Sequence, residues 1–476
     1  MTLVAELERA VGADAVISEQ SQMRTYECDG LTGRRAVPQA VVLPRTTAEV
    51  QAAVRVCHGR GIPFVARGAG TGLSGGAVPI AEGIVIGLAR MNRILDVDVP
   101  NRRVRVQPGV ANLDVTRAVA AHGLYYAPDP SSQQVCTIGG NVAENSGGAH
   151  CLKYGFTTNH VLELEVVLAT GDVVRIDRAG ELDLLGGFVG SEGTLGIATE
   201  IVVSVLPRPQ RVETMLAAFE STDAAGEVVS AIIAAGIVPA AIEMMDALTI
   251  RAAEAAVGAG LPLDAGAVLL IELDGPAVEV EVTSARVREC CALGTATEVR
   301  VAATEAQRAA FWRGRKAAFA AMGRISPDYY VQDGVVPRTR LPETLRRIGE
   351  LSRTHGLEVG NVFHAGDGNL HPLVLYDGAV EGQAERAEEL ASAILQACVD
   401  AGGSLTGEHG IGLDKACHMP LMYSPDDMAT MLRLRTAFDP DGLCNPGKAF
   451  PTPRLCGEVP GPYRQHPAER EGVERW

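Results

Sequence analysis

The sequence predicts an α+β protein built of two unlike parts, and three observations carry that prediction. Up to Pro207-Arg208-Pro209, short apolar strands are separated mostly by glycine-rich runs. From Met215 onward, strands alternate with long Ala-rich helices, the pattern of a mostly antiparallel sheet with helices on one face. Two segments of this second part, His364-Ala365-Gly366-Asp367-Gly368-Asn369-Leu370-His371 and Gly407-Glu408-His409-Gly410, gather imidazoles and a carboxylate between glycines. At 476 residues the chain is long enough for two or three cores.

Taken in order, Leu3 to Val11 reads as a short amphipathic helix. Ala40 to Leu43 is a buried strand, and Thr46-Thr47-Ala48-Glu49 is a capping box with Thr46 at the N-cap and Glu49 reaching back. Val50, Ala53, Val54 and Cys57 then share one helical face until Gly59 and Gly61 stop the helix. Strands follow at Pro63 to Ala66, Ile84 to Leu88, Leu95 to Val99 and Val104-Arg105-Val106, then a helix from Leu113 to Ala121. Leu162 to Leu168 and Val173 to Ile176 form a hairpin about Gly171-Asp172, and Ile197 to Leu206 is the last strand of the first part. In the second part Val268 to Leu273 and Val359 to Phe363 are strands, and helices cover residues 222–235, 304–322 and 384–401. Prolines 451, 453, 460, 462 and 467 mark an extended or disordered tail.

The charge balance, 42 − 58 = −16, argues against a nucleic-acid binder and against direct adsorption on an anionic bilayer. No run reaches the ~18 apolar residues of a membrane span. The nearest, Ala231 to Met245, is broken by Gly236, Pro239 and Glu243. Met1 to Arg9 carries Glu6 and Glu8 and lacks a secretory pattern, so the expected compartment is the cytosol. The ten cysteines include no C-x-x-C pair, so reduced, mostly buried thiols are expected and no iron–sulfur cluster.

Arg67-Gly68-Ala69-Gly70-Thr71-Gly72-Leu73-Ser74-Gly75-Gly76 contains a formal G-x-G-x-x-G. A dinucleotide fingerprint must open a helix, yet Gly76, Pro79 and Gly83 precede the next strand, and no Gly-Lys-Ser/Thr closes a Walker loop. What remains is a strand-to-strand loop whose unobstructed N–H groups suit an anion such as a pyrophosphate. The plain alternative is a flexible surface loop. Against it stand Asp129-Pro130-Ser131-Ser132, the small-residue run from Thr137 to Gly148, and Gly190 to Ile197, which could converge around a long cofactor.

If Asp367-Gly368-Asn369 turns the chain, His364 and His371 face each other across a strand–turn–strand, with Cβ atoms roughly 4.5–5.5 Å apart. Both imidazoles then reach one ion, and Glu408 adds an oxygen. Such an N/N/O set suits Zn²⁺, Mn²⁺ or Fe²⁺ equally. The competing reading is a pair of histidines hydrogen-bonded within a turn.

The order from Arg67-Gly68-Ala69-Gly70-Thr71-Gly72 through Tyr126-Ala127-Pro128-Asp129-Pro130-Ser131-Ser132 to Cys151-Leu152-Lys153-Tyr154-Gly155 resembles the FAD domain of the vanillyl-alcohol oxidase / para-cresol methylhydroxylase superfamily. Within it the chain is most similar to the FAD-linked subunits of glycolate-oxidase type, over about residues 30–455. The resemblance implies a two-part FAD-binding domain of the vanillyl-alcohol oxidase type plus an antiparallel-sheet α+β domain for substrate and metal. Residues 1–33 would be an N-terminal helical segment, 34–208 the FAD-binding domain and 209–440 the substrate and metal domain. Residues 441–455 would return to the FAD site, ahead of a flexible tail over 456–476.

By the same resemblance Arg67, Gly68, Ala69, Gly70, Thr71, Gly72, Leu73 and Ser74 would carry the pyrophosphate. Pro128, Asp129, Ser132, Thr137, Gly139, Gly140, Asn141, Asn145, Gly147, Gly193, Gly196 and Ile197 would wrap the rest of the flavin. Asn445 would close the site near the isoalloxazine. Many members attach FAD through a His in the first glycine loop; Thr71 occupies that neighbourhood here, so non-covalent FAD is expected. His364, His371 and Glu408 would hold one divalent ion, His409 would be the catalytic base, and Arg315 would bind the substrate carboxylate. The alternative for Arg315 is a solvated helix face, as expected for Arg313.

Relatives acting on larger diacids carry Lys and Asn where this chain has Val331 and Leu373, which points to a small substrate. The implied activity is FAD-dependent oxidation of a small 2-hydroxy acid, glycolate or D-lactate, to the 2-oxo acid. Electrons would pass to a second flavin-domain subunit and an iron–sulfur subunit, which would bring the chain to the inner membrane peripherally. The alternative within the class is a stand-alone D-lactate or D-2-hydroxyacid dehydrogenase with a soluble or quinone acceptor. Outside it stand a metallohydrolase with incidental glycine loops and a non-catalytic assembly subunit.

Overall fold

The structure, a computed structural model, describes residues 1–450, so the proline-rich tail lies outside the described residues. The N-terminal helix Leu3–Val11 forms as its periodicity requires, burying Leu3, Leu7 and Val11 at four-residue steps under a Thr2 cap. It packs on a four-stranded sheet ordered Val16–Ile17, Ala40–Val42, Ile84–Gly87, Phe64–Arg67, in which the last three strands run parallel. A parallel pair needs a crossover, and the helix Thr47–Arg60 supplies the one between Ala40–Val42 and Phe64–Arg67. Its cap differs in detail from the expected box. Thr46 Oγ1 accepts from Glu49 N at 3.2 Å, but the Glu49 carboxylate accepts from Arg45 N at 2.7 Å, one residue ahead of the N-cap.

The return from Phe64–Arg67 to its parallel neighbour Ile84–Gly87 has no helix; residues 68–83 make it as a loop across one end of the sheet. That is where the first glycine run sits. A second, antiparallel sheet of five strands, ordered Ile94–Asp98, Arg103–Val106, Ile197–Ser204, Val161–Val167, Val173–Asp177, completes this half, with the expected hairpin in place. Helix Ile138–Glu144 lies within a run that reads as loop from its composition. Gly139 and Gly140 depress helix propensity, but Thr137 caps the first turn by accepting from Gly140 N, and Asn145 ends the helix at φ 52°.

The second half is a nine-stranded antiparallel sheet whose core strands are Arg211–Phe219, Ala267–Gly275, Ala241–Asp246 and Val359–His364. The expectation of helices on one face is corrected: they cover both. Met215, Ala217, Leu269 and Ile271 face Thr222–Ala234, Ala277–Leu293, Leu341–His355 and Gln383–Asp400. Leu216, Ala218, Val268 and Leu270 face Ala247–Val257 and Glu305–Ala321. Alternation could not show this, because Val268 to Ile271 is apolar at every position, as in a strand buried on both sides. No helix among the described residues is long and apolar enough to cross a membrane.

Candidate active site

Between the halves lies a cavity of about 730 Å³. Its wall at one end is the first glycine run; at the other it is Arg315, His364, His371, Glu408 and His409. Of the residues expected to bind flavin, Arg67, Gly68, Ala69, Gly70, Thr71, Gly72 and Leu73 line it. So do Ser132, Thr137, Gly139, Gly140, Asn141, Gly193, Gly196 and Ile197. The others stand behind this wall. Ser74 donates its hydroxyl to the carbonyl of His409 at 2.7 Å. The Pro128 carbonyl accepts from Asn112, Asp129 engages His150, and Asn145 Oδ1 accepts from Thr158 N. Gly147 allows Glu408 close, since a Cβ there would lie 2.7 Å from Glu408 Oε2. Asn445 Nδ2 ties the first glycine run to the Gly190–Ile197 segment by donating to the carbonyls of Gly76 (2.9 Å) and Glu192 (2.6 Å).

This end suits a dinucleotide. The N–H groups of Gly70, Thr71, Gly72 and Leu73 have no acceptor among the described residues, as an anion-binding nest requires. A Cβ at Gly72, Gly140 or Gly193 would meet no protein atom closer than 3.8, 3.4 and 3.9 Å, so these glycines leave room toward the cavity rather than toward a packed neighbour. Arg67 plays a different part: its guanidinium folds back against Gly70 and donates to the Ala77 carbonyl at 3.2 Å, stiffening the loop from within.

At the other end the ladder register differs from expectation. His364 pairs with Asn369, so His371 stands beyond the paired turn rather than opposite His364. The imidazoles nevertheless meet, with ring centroids 5.0 Å apart, and converge on one oxygen: Glu408 Oε1 is 3.0 Å from His364 Nε2 and 3.1 Å from His371 Nε2. Three donor atoms this close, two nitrogens and a carboxylate oxygen, fit a single divalent ion. Glu243, which sequence reading passed over, supports the set. On the neighbouring strand it pairs with His364, and its Oε1 lies 2.7 Å from His364 Nδ1, so that Nε2 is the nitrogen His364 could offer an ion. Its other oxygen meets Arg315 Nη2 at 2.5 Å. Burial works against ionisation of Glu243, but Arg315 and His364 outweigh it and lower its pKa.

Asp333, also passed over, anchors the segment that carries Glu408 and His409. Fully buried, it accepts from the N–H groups of Gly407, Glu408 and His409 at 2.9, 3.1 and 2.8 Å and from Thr406 Oγ1 at 2.5 Å. The His409 ring stacks on His371 with centroids 4.8 Å apart and planes 9° apart. Burial pulls the His409 imidazole down to about 4, with His371 adding to the effect and Asp333 opposing it, so His409 stands neutral. Arg315 is 3% exposed and its Nε has no partner among the described residues, while Arg313 on the same helix is exposed. Val331 lines the cavity, while its strand partner Leu373 is fully buried in the core and does not line it.

Residues 38–177 match the FAD binding domain family, and residues 208–449 match the family described as FAD linked oxidases, C-terminal domain. The chain is 50% identical over 469 residues to glycolate oxidase subunit GlcD of Escherichia coli (strain K12), covering 98% of this chain and 94% of that one. It is 42% identical over 431 residues to subunit GlcD of Bacillus subtilis (strain 168), covering 89% and 92%. A D-lactate dehydrogenase of Anaerostipes hadrus is 33% identical over 427 residues, covering 87% and 90%. Among solved structures, p-cresol methylhydroxylase with substrate bound aligns with a TM-score of 0.78 at 17% identity, over 94% of this chain and 96% of that one. A 4-ethylphenol oxidase from Gulosibacter chungangensis aligns at 0.75 and 19%, with the same coverage. At such identities the structural likeness speaks to fold alone.

Proposed function

This chain belongs to the family of FAD-linked oxidases, and on that premise we propose that it is the FAD-bearing subunit of a glycolate oxidase, oxidising glycolate to glyoxylate. The observation that carries the reading is that the glycine cradle and the His364/His371/Glu408 donors open into one cavity. The metallohydrolase reading, with its incidental glycine loops, has no account of that. D-Lactate dehydrogenases appear at lower identity, so D-lactate ranks behind glycolate.

The substrate carboxylate sits on Arg315, whose buried Nε lacks a partner and whose planar fork suits two oxygens. His364, His371 and Glu408 hold a divalent ion, Zn²⁺, Mn²⁺ or Fe²⁺. When bound, FAD accepts a hydride and the ion polarises the hydroxyl. A ring nitrogen of His409, neutral because it is buried, takes the hydroxyl proton as the C–H pair leaves, so the alcohol loses one proton and one hydride. Asp333 holds the His409 backbone, and Glu243 keeps Arg315 and His364 in register. Val331, at the cavity wall, offers no polar group to a second carboxylate, favouring a two- or three-carbon acid. FAD is held non-covalently, Thr71 standing where a linking side chain would be needed. Electrons leave to a second flavin-domain subunit and an iron–sulfur subunit, which would bring the chain to the membrane surface.

Anaerobic mixing with glycolate tests this directly. The bound flavin should bleach, chelator should suppress bleaching, and one of the three ions should restore it. Flavin that stays oxidised with glycolate, D-lactate and related 2-hydroxy acids in ion-replete protein would overturn the reading.

A further inference from the structure

We propose that Glu144 donates a hydrogen bond from a neutral carboxylic acid to the bound flavin, so that it is a cofactor-contacting residue of this enzyme. The proposal rests on FAD filling the cavity described above. Glu144 ends the helix Ile138–Glu144, where the outgoing carbonyls make a negative end that disfavours a second negative charge. Its carboxyl is set into the cavity wall between the first glycine run and the segment of His409. A Cβ at Gly76 would lie 2.6 Å from Oε1 and one at Gly410 2.5 Å from Oε2, so this carboxyl fits only because both positions are glycine.

The neighbours decide its charge. Glu192 crowds the same Gly410, its Oε1 being 2.9 Å from the Cβ position there. Glu192 also receives the N–H groups of Ile411 and Gly412, each at 2.7 Å, which suits an anion. Glu144 Oε2 is shut away from solvent and has no partner among the described residues. Of two carboxyls crowding one glycine, the one without donors is the one that keeps its proton. Asp29 adds a third carboxyl nearby. Lys448 and Lys415 face the cluster, but both already have partners: Lys448 Nζ donates to the Val78 carbonyl and to Asn445 Oδ1, and Lys415 Nζ to the Gly410 carbonyl and to Asp333. Burial and the Glu192 charge both push Glu144 well above the usual carboxylate range, in agreement with the geometry.

A neutral carboxylic acid can donate where a carboxylate can only accept. The flavin ring offers carbonyl and imine acceptors, and Glu144 lines the cavity, its Oε1 lying 3.8 Å from a Cβ placed at Gly72 while Oε2 is closed off, so Oε1 is the oxygen that donates. A donor there makes the ring a better hydride acceptor.

Purified holoenzyme, Glu144→Gln and Glu144→Leu are compared in three measurements. These are FAD affinity by titrating the apoprotein, the visible spectrum of the bound flavin, and the oxidised-to-reduced ratio at equilibrium with a reference dye. Glu144→Gln, neutral and still a donor, should stay within about twofold of native. Glu144→Leu should lose about tenfold in affinity and move the ratio about tenfold toward oxidised flavin, the scale of one hydrogen bond. The infrared C=O band of a neutral acid should be present in native holoenzyme and missing from Glu144→Gln. The proposal is overturned if the Leu variant matches native, if the Gln variant shifts as far as the Leu variant, or if the infrared difference shows a carboxylate. Should the Leu variant not fold, the Gln comparison and the infrared band decide alone. Native apoprotein that takes up no FAD would instead remove the cofactor reading itself.

Discussion

At the scale of single residues, the proposed chemistry is divided between groups that would meet the substrate and groups that hold them. His409 is buried, neutral and stacked on His371. His409→Ala should therefore keep FAD bound yet slow flavin reduction by glycolate on the order of 10²–10⁴-fold in stopped-flow measurements. Arg315→Lys retains charge but loses the planar fork, and roughly tenfold or more in kcat/KM should go with it, mainly through KM. An unchanged KM would mean that the carboxylate sits elsewhere. His364, His371 and Glu408 stand out in the chain because their two segments set imidazoles and a carboxylate between glycines, whereas Arg315 and the role given to His409 come only from the family resemblance. Glu243 and Asp333 do not stand out. Glu243 matters because strand register sets it beside His364, 121 residues away, and Asp333 because a loop folds three N–H groups onto it.

At the scale of elements, helix Ile138–Glu144 shows a conflict between stability and use. Gly140 has an ordinary helical backbone, and a methyl group there would meet only Thr137 Oγ1, at 3.4 Å, yet Gly140 lines the cavity. Gly140→Ala should stabilise the apoprotein by up to about 1 kcal/mol through helix propensity while weakening FAD. Thermal melts with and without FAD would show the apo curve moving up and the FAD-induced shift shrinking. A variant whose FAD shift is unchanged would place the cofactor away from this helix. Gly140, which opens the cavity, and Gly139, which packs against Pro108, obscured the helix in the sequence, since propensity counts both against it and only the Thr137 cap speaks for it. The helices on both faces of the second sheet escaped notice for a comparable reason: a strand apolar at every position carries no period to read.

At the scale of the molecule, the two halves are pinned by a polar cluster behind the site. His150 bridges Asp129 (2.9 Å) in the first half to Glu272 (3.2 Å) in the second. Glu272 also accepts from Arg308, Trp312 and Thr214. Burial pulls the His150 imidazole down, but Asp129 and Glu272 outweigh it and raise it to about 10. The folded value thus exceeds the ordinary ~6.5. The stabilisation is complete below about pH 6.5 and fades as pH rises through about 10. His150→Gln should cost on the order of 2 kcal/mol near pH 6.5 and progressively less in alkali, as read by denaturant melts across that window. A pH-independent difference would remove the charged bridge. The sequence expects a border at Pro207-Arg208-Pro209, and the strand Arg211–Phe219 of the second sheet begins just beyond it. The bridge is not legible there, because it depends on how the halves dock.

Glu243 touches Arg315 through Oε2 and His364 through Oε1 at 2.7 Å and Oε2 at 3.0 Å, and these contacts are out of solvent. If Arg315 holds the acid and His364 the ion, as proposed, a carboxylate so shared makes the two grips thermodynamically linked. Whatever a non-reacting dicarbonyl acid such as oxalate gains in affinity when the cation is present, the cation must gain in equal measure when the acid is present. Breaking the link with Glu243→Gln would uncouple those two titrations without removing either binding site.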